Sequence, residues 1–593
     1  MAFTTRPTLR GTFGMVSSTH WLASQSAMGV LERGGNAFDA AVAAGFVLHV
    51  VEPHLNGPAG EVPAILATAA DPTPRVLCGQ GPAPAAATVA HFRSLGLDLV
   101  PGAGPLAAVP GRRRRLAVAA ARPRHPHARR GAGTGDRLRR RRPPAGRPGR
   151  ADRRAGPVAV HRPLADLRTA LAPRRPSARA GEMVTNPAYA DTLRRLVDAG
   201  RAAGADREAQ IEAARRAWRE GFVAEAIDAF SRLPFRDSSG RAHAGLVTGD
   251  DLTRWSATWE EPVTLDWHGH TIAKTGFWGQ GPVLLQTLAV LDALDDPRVY
   301  DPSSLEGIHA QAEALKLAFA DREAWYGDTD VPGPALLSAE YARARAALVG
   351  DRADTTLRPG SPAGEPPRLP SHLRADVGRG AVPQDASTGE PTVRADGVTR
   401  GDTCHVDVVD RWGNIISATP SGGWLQSSPV IPGLGFPLGS RLQMSWLEEG
   451  LASTLRPGRR PRTTLSPTLV LRDGEPVMAC GTPGGDQQDQ WQLLFLLRHL
   501  AGGQELQEAI DAPTWHTTSF PASFYPREAE PGVLVLEDRI DGDVLAGLRA
   551  RGHTVRLSDP WSLGRMCAVT RDPQRSFVRG SKPRGAQGYA TGR

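Results

Sequence analysis

Cysteine is scarce and scattered. The four residues Cys78, Cys404, Cys480 and Cys567 include no Cys-x-x-Cys pair, which argues against a zinc ribbon or a disulfide framework. No run of about 18 apolar residues occurs, so no transmembrane helix is expected. The opening residues MAFTTRPTLRGTF lack an apolar stretch, so no secretion signal is read and the expected compartment is the cytoplasm. Aromatic residues make up only 6% of the 593, against 40% apolar and 22% charged. That composition is globular and excludes a disordered chain, a collagen and a small disulfide scaffold. The length suits several ordinary domains or one large layered one.

The net charge of +9 invites a nucleic-acid reading, but the charge is not spread evenly. Residues 112–179 hold 22 Arg, no Lys and 3 Asp. The remainder has 49 basic and 59 acidic residues, so it is mildly acidic. Residues 112–179 are Arg, Ala, Pro and Gly almost throughout, with no helical or strand period, and bury too little apolar surface to offset chain entropy. Three readings stand: a nucleic-acid-binding arm, a solvated insert, or a GC-rich stretch read out of frame. The abrupt return to ordinary sequence at Gly181-Glu182-Met183-Val184 favours the third. Basic runs are weak motifs, so a nucleic-acid partner is not expected.

Elsewhere the pattern is ordinary. Met15–Ser18 reads as a strand and Trp21–Leu31 as a helix stopped by Gly34-Gly35-Asn36. Ala37–Val51 is a second, alanine-rich helix, followed by strands at Ala64–Ala67 and Arg75–Cys78. Helices are expected at Tyr189–Ala199, Asp206–Phe230 and Pro282–Ala293, with strands at Val263–Asp266 and His270–Ala273. Thr248 is placed to cap a helix start. A further helix carries Ile308, Ala312, Leu315 and Phe319 on one face, and His309, Glu313 and Lys316 on a neighbouring stripe that reads as a polar network rather than a metal site. Residues 354–400, rich in Pro, Gly and Ser, read as a long exposed linker. Hairpins follow around Arg411-Trp412-Gly413-Asn414 and around Asp473-Gly474, and the turn Gly481–Asp486 opens a helix at Trp491–Leu500.

The junction Gly401-Asp402-Thr403-Cys404-His405 is the most informative place. A linker there runs straight into a strand that begins with a hydroxyl residue. Cut before Thr403, the chain would present a hydroxyl and a free α-amine on one residue. Such an amine titrates near about 8, so part of it is neutral at pH 7 and can take the hydroxyl proton. Gly484-Gly485, just before a helix, can aim two backbone N–H groups at one point, as an oxyanion requires. Thr463-Thr464 adds two hydroxyls at the end of a strand. Taken singly, each is also an ordinary strand start, turn or strand edge.

Together these stretches resemble the gamma-glutamyltransferases, a branch of the N-terminal nucleophile hydrolases. The resemblance is carried by Gly34-Gly35-Asn36-Ala37-Phe38-Asp39-Ala40-Ala41-Val42-Ala43, Val51-Glu52-Pro53, the run from Glu313 to Arg322, and Thr403 to Asp410. It continues through Gly413-Asn414, Pro457-Gly458-Arg459-Arg460-Pro461, Leu465-Ser466-Pro467-Thr468 and Gly481-Thr482-Pro483-Gly484-Gly485. It covers almost the whole chain outside 112–179 and the 350–400 linker. It implies a four-layer αββα sandwich, and self-cleavage between Asp402 and Thr403 into a large subunit, 1–402, and a small one, 403–593, that stay together as a heterodimer. It implies that Thr403 is the nucleophile, Ser421 a hydroxyl bonded to it, and Gly484 and Gly485 the oxyanion pair. Thr463 and Thr464 would contact the substrate carboxylate. No metal and no organic cofactor is implied.

The departures concern the substrate. Where such enzymes carry a carboxylate-clamping arginine, Cys78-Gly79-Gln80-Gly81-Pro82-Ala83-Pro84 has Gln80, a neutral amide in place of a bidentate cation. Gln443-Met444-Ser445-Trp446 stands where an amine-binding Asp is expected, and Gly423 where an Asn is. With each desolvated charge pair worth about 2–5 kcal/mol, a zwitterionic glutamyl head would bind weakly. The expected substrate is therefore a small-molecule amide with a less charged acyl group, with Trp446 lining an apolar pocket. A second reading, motivated by the Arg-rich segment and the missing clamp, is an uncleaved relative acting as a binding or scaffold protein.

Overall fold

The computed structural model describes residues 4–102, 183–371, 373, 392–393, 399–400, 403–425, 428–574, 577–581, 584 and 587–593. The whole of the Arg-rich segment 112–179, much of the 354–400 linker and Asp402 lie outside the described residues.

Two seven-stranded sheets carry the architecture. In the first, neighbouring strands in order are Tyr589–Gly592, Gly14–Ser18, Val406–Asp410, Ile415–Ala418, Ala64–Thr68, Asp71–Cys78 and Thr258–Glu260. In the second they are Leu9–Gly11, Phe577–Ser581, Cys567–Asp572, Glu475–Gly481, Thr468–Arg472, His270–Lys274 and Val263–Trp267. Every pairing in both sheets is antiparallel.

Strand alternation sorts the side chains into layers. Met15, Ile65, Val409 and Ile415 of the first sheet meet Ala273, Leu469, Ala479 and Val569 of the second in one buried cluster. Their sequence neighbours Val16, Leu66, Val408 and Ile416 point the other way, onto the helices Trp21–Glu32 and Ala37–Val51. On the far side Ile272, Val470 and Met478 pack against the helices Pro282–Asp292, Leu305–Trp325 and Gln488–Leu496. The result is the expected four-layer αββα sandwich.

Local chemistry fixes the elements. Asn36 and Asp39 form a capping box at the start of Ala37–Val51. The Asp410 carboxylate accepts from the backbone N–H of Ala37, Trp412, Gly413 and Asn414, so one side chain holds both that helix start and the hairpin turn. Gly413 sits at φ 99°, a backbone conformation that favours glycine, with the Arg571 guanidinium against it. Thr248 caps its helix as expected.

Two expectations need correcting. The single helix read over Asp206–Phe230 is two helices, Arg207–Arg219 and Phe222–Ser231, because Gly221 takes an extended backbone (φ −106°, ψ −148°) and turns the chain. The first part of the supposed linker is docked, not free: Gly360 N–H donates to Asp321 at 2.7 Å, Trp325 Nε1 donates to Gly360 O at 3.0 Å, and Pro362 is buried. The stripe of His309, Glu313 and Lys316 is buried and forms a polar network. His309 Nδ1 lies 2.8 Å from His553 Nε2, its Nε2 lies 2.8 Å from Gly350 O, and Glu313 pairs with Lys316 and Arg358. Among the described residues no helix is long and apolar enough to cross a membrane.

One buried residue sets a pH dependence. His516, in the strand Trp515–Thr517, is 1% exposed, packs on Trp491, and its Nδ1 has no hydrogen-bond partner. Burial pushes its pKa down to about 3. Below pH about 6.5 the unfolded chain takes up this proton and the fold does not, so the stability that His516 contributes is fully present above that pH and is lost by about 1.4 kcal/mol per unit towards pH 3. Urea unfolding at pH 7 and pH 5 should show the loss, and His516→Phe should reduce the slope by one proton's worth.

Candidate active site

The backbone places Thr403 where the two sheets meet. Alternation continues back from the strand Val406–Asp410. Cys404 joins the helix-facing cluster, while His405 and Asp407 bond each other at 2.8 Å. Ser417, opposite Asp407, donates to Cys480 O of the second sheet, and a side chain at Gly481 would collide with the His405 ring. The turn that follows Gly481 therefore emerges beside residues 403–405. His405 uses both ring nitrogens in the fold, Nδ1 towards Thr419 Oγ1 at 2.9 Å and Nε2 towards Asp407. Burial pushes the Asp407 carboxyl up despite that pairing.

The start of this strand is gripped from the helix side. Glu52 accepts from the Thr19 hydroxyl at 2.8 Å and from the Cys404 thiol at 3.1 Å, and Asn56 Nδ2 donates to Cys404 Sγ at 2.9 Å. That is a physical reason for Val51-Glu52-Pro53 to matter.

Thr403 is 2% exposed, and its Oγ1 lies 3.1 Å from Ser421 Oγ. Ser421 Oγ also accepts from Arg441 Nη2 at 3.3 Å, which leaves its hydroxyl able either to donate to or to accept from Thr403 Oγ1. Arg441 is in turn paired with Glu61, whose backbone exchanges two hydrogen bonds with Ser421. Sequence reasoning singled out Ser421 but not Arg441 or Glu61. They are 380 positions apart, and no local pattern marks either.

Gly484 and Gly485 both have positive φ, 134° and 55°, and a side chain at Gly484 would strike Trp491. The turn is pinned from behind. Gln280 Nε2 donates to Gly485 O at 3.2 Å, and the buried Arg322 pairs with Asp486. Gln280 N–H also donates to Thr463 O at 2.9 Å, so one residue spans the glycine turn and the threonine pair. Arg462 pairs with Glu323 at 2.7 Å, anchoring the residue before Thr463. Burial pushes the Glu323 carboxyl up, but Arg462, Arg322 and Arg527 overcome this and hold it near about 2. Thr463 and Thr464 are not a strand edge: Thr463 bridges Gly279, and both are buried.

Gln80 lies beside this segment, with its Nε2 donating to Pro461 O and its buried Oε1 lacking a hydrogen-bond partner. Gln443 is occupied. Its Oε1 accepts from Tyr525 N–H at 3.0 Å and its Nε2 donates to Ser440 O at 3.0 Å. Trp446 is buried, with the Arg527 guanidinium 4.1 Å from its ring centre. The structure thus joins Thr403 to Ser421, Gln80 to the segment leading to Thr463 and Thr464, and Gln443 and Trp446 to Arg527. The segment Phe520–Arg527 ties the glycine turn to the last group, through Ser523 to Asp486 and Tyr525 to Gln443.

The family model described as gamma-glutamyltranspeptidase matches residues 23–122 and 152–592. The chain belongs to the gamma-glutamyltranspeptidase family. Only 123–151 falls between the two matched stretches, a narrower gap than the Arg-rich segment read from composition. Relatives include the glutathione hydrolase proenzyme of Bacillus subtilis (strain 168), 26% identical over 98% of this chain and 92% of its own. The oxamate amidohydrolase proenzyme of Klebsiella pneumoniae is 28% identical over 98% of both chains. Among solved structures, LmbA2991HD is 52% identical with a TM-score of 0.87 over 100% of both chains, and a threonine-to-alanine form of LmbA2991 is 53% identical with the same score. Within this gamma-glutamyltranspeptidase framework, the matched helix run ending at Arg322 is scaffolding: it holds the glycine turn and, through Glu323, the Thr463 segment.

Proposed function

We propose that the chain cuts itself between Asp402 and Thr403, and that Thr403 then acts as the N-terminal nucleophile of an amidohydrolase or acyltransferase. Thr403 Oγ1 bonds to the carbonyl carbon of an amide while its proton passes to the new α-amine. The carbonyl oxygen becomes an oxyanion facing the backbone N–H groups of Gly484 and Gly485. The C–N bond then breaks, the amine leaves with that proton, and an ester remains on Thr403. Water or a second amine attacks the ester, releases the acid or a new amide, and restores the hydroxyl. The products of self-cleavage, 1–402 and 403–593, stay together because strands of both share each sheet.

The observation that carries this reading is the buried 3.1 Å contact between Thr403 Oγ1 and Ser421 Oγ. The proenzyme names of the relatives, and the amidohydrolase among them, support it. The donor is not a standard γ-glutamyl compound, since Gln80 carries no charge and the Gln443 amide is committed inside the protein. Purified protein should show two bands near about 42 and 20 kDa, scaled from 63.2 kDa for 593 residues, with the smaller beginning at Thr403 on N-terminal sequencing. A single full-length band, with no acyl-enzyme by mass spectrometry, would favour an unprocessed binding protein instead.

A further inference from the structure

A small cavity lies behind the glycine turn, apart from every residue given a part in the reaction. Its volume is about 10 Å³, and its walls include Trp491, Phe495, Arg498, Ile510, Met566 and Arg584. That is room for one water or one monatomic ion, and too little for a phosphate or a carboxylate. Trp491 and Arg498 come from one helical stretch. Gln488–Leu496 runs into the π-helical turn Leu497–Ala501, so the two residues stand seven positions, about two turns, apart on one face. Helical side chains lean towards the N-terminus, which sends the Arg498 guanidinium back towards the indole. Turns of this π type are rare and cluster at functional sites.

The side-chain atoms left over on this pair are donors. Trp491 is 4% exposed and Arg498 3%, and Trp491 Nε1 and Arg498 Nε have no hydrogen-bond partner. Each is an N–H that can only donate. The Arg498 Nη atoms donate to the backbone oxygens of Ala509 and Pro513, and among the described residues no carboxylate pairs with it. Arg584 is also buried, but it has Glu537, which it shares with Arg539. Three guanidiniums thus stand against one ion-paired carboxylate, while Asp511 accepts from Thr5 and Gln507. Burial, and then the neighbouring Arg584, push the Arg498 pKa down to about 9, so it stays charged at neutral pH. Empty, the cavity leaves two buried donors unmet and a buried cation uncompensated, and both are costly. A cation cannot relieve this. Water, with two protons of its own, meets the donors but not the charge.

We propose that this cavity binds a monatomic anion, chloride, held by Arg498 Nε and Trp491 Nε1. A side chain at Gly484 would strike Cζ3 and Cε3 of Trp491, on the edge of the indole away from Nε1. The anion therefore fixes the ring that backs the glycine turn. That effect bears on catalysis only under the proposed amidohydrolase reading, whereas the binding does not depend on it.

Hydrogen–deuterium exchange tests this without a substrate. The full chain is compared in sodium gluconate, sodium chloride and sodium bromide at one ionic strength of about 0.1 M. Gluconate is too large for the cavity. Peptides within 481–501 should exchange about tenfold slower in either halide than in gluconate. Arg498→Met should abolish that difference. Trp491→Phe, which keeps an aromatic ring without the N–H, should cut it to about threefold and carries the comparison if Arg498→Met does not fold. Crystals grown in sodium bromide should show an anomalous peak in contact with both nitrogens. No halide effect, an undiminished effect in the variants, or no bromide in the cavity overturns the proposal. Gel analysis of the same preparations keeps the two readings apart. A processed enzyme indifferent to halide sinks only the anion site, and an unprocessed chain that responds to halide sinks only the hydrolase reading.

Discussion

Thr403→Ala should leave one band at 63.2 kDa and reduce amide hydrolysis by about 10⁴-fold or more, the scale on which losing a nucleophile that acts as part of a unit is felt. The substitution removes one hydroxyl and one methyl from a site where Ser421 keeps its second partner, Arg441, so the fold should survive with a cost of about 1 kcal/mol. Thr403→Ser separates the hydroxyl from the shape of the side chain. It should still be processed, and its hydrolysis should lie within about tenfold of wild type, because the chemistry asks for the oxygen and the α-amine, not for the methyl. Both are read by gel and by release of amine from the amide. If Thr403→Ala is cut and remains active, the nucleophile lies elsewhere, and the contact with Ser421 is a strand-end detail.

What the sequence made legible is local. Turn residues announced themselves: Asp473 and Gly474 adopt φ 52° and 79° in the hairpin read from them, and the turn read at Gly481–Asp486 carries Gly484 and Gly485 at φ 134° and 55°. Strand alternation on either side of Cys404 sorted the layers, because a period of two is fixed by the backbone. Legibility ended where the partners were distant. Arg322 meets Asp486 across 164 positions and Arg462 meets Glu323 across 139. No periodicity reports such pairs, and an arginine destined for the interior looks like one destined for solvent. The same blindness shaped the view of the substrate. Gln80 and Gln443 suggested a region short of charge, whereas Arg441 and Arg527, buried beside Ser421 and Gln443, come from segments that carried no motif. The docked stretch around Gly360 and Pro362 reads as linker by composition, which records chain stiffness and polarity, not the Asp321 carboxylate that accepts the Gly360 N–H.

Arg441→Met should separate the framework role of that residue from its role at the nucleophile. The change strands Glu61 as a buried carboxylate without its cation, which should lower unfolding free energy by about 3–5 kcal/mol. Glu61→Gln should cost a similar amount by stranding Arg441. Because the two penalties arise from one pair, they are not additive, and the double variant Glu61→Gln/Arg441→Met should recover most of the lost stability. Activity should not recover with it. Arg441 Nη2 donates to Ser421 Oγ and so helps hold that hydroxyl in place 3.1 Å from Thr403 Oγ1. Without that donor the serine hydroxyl rotates among other partners, and kcat should fall about 10²-fold in both Arg441→Met and the double variant, with KM little changed. Denaturant unfolding and steady-state kinetics on the three variants decide the matter. A double variant that regains both stability and kcat would reduce Arg441 to half of a structural ion pair, and one that regains stability alone makes it the residue that orients Ser421 towards the nucleophile.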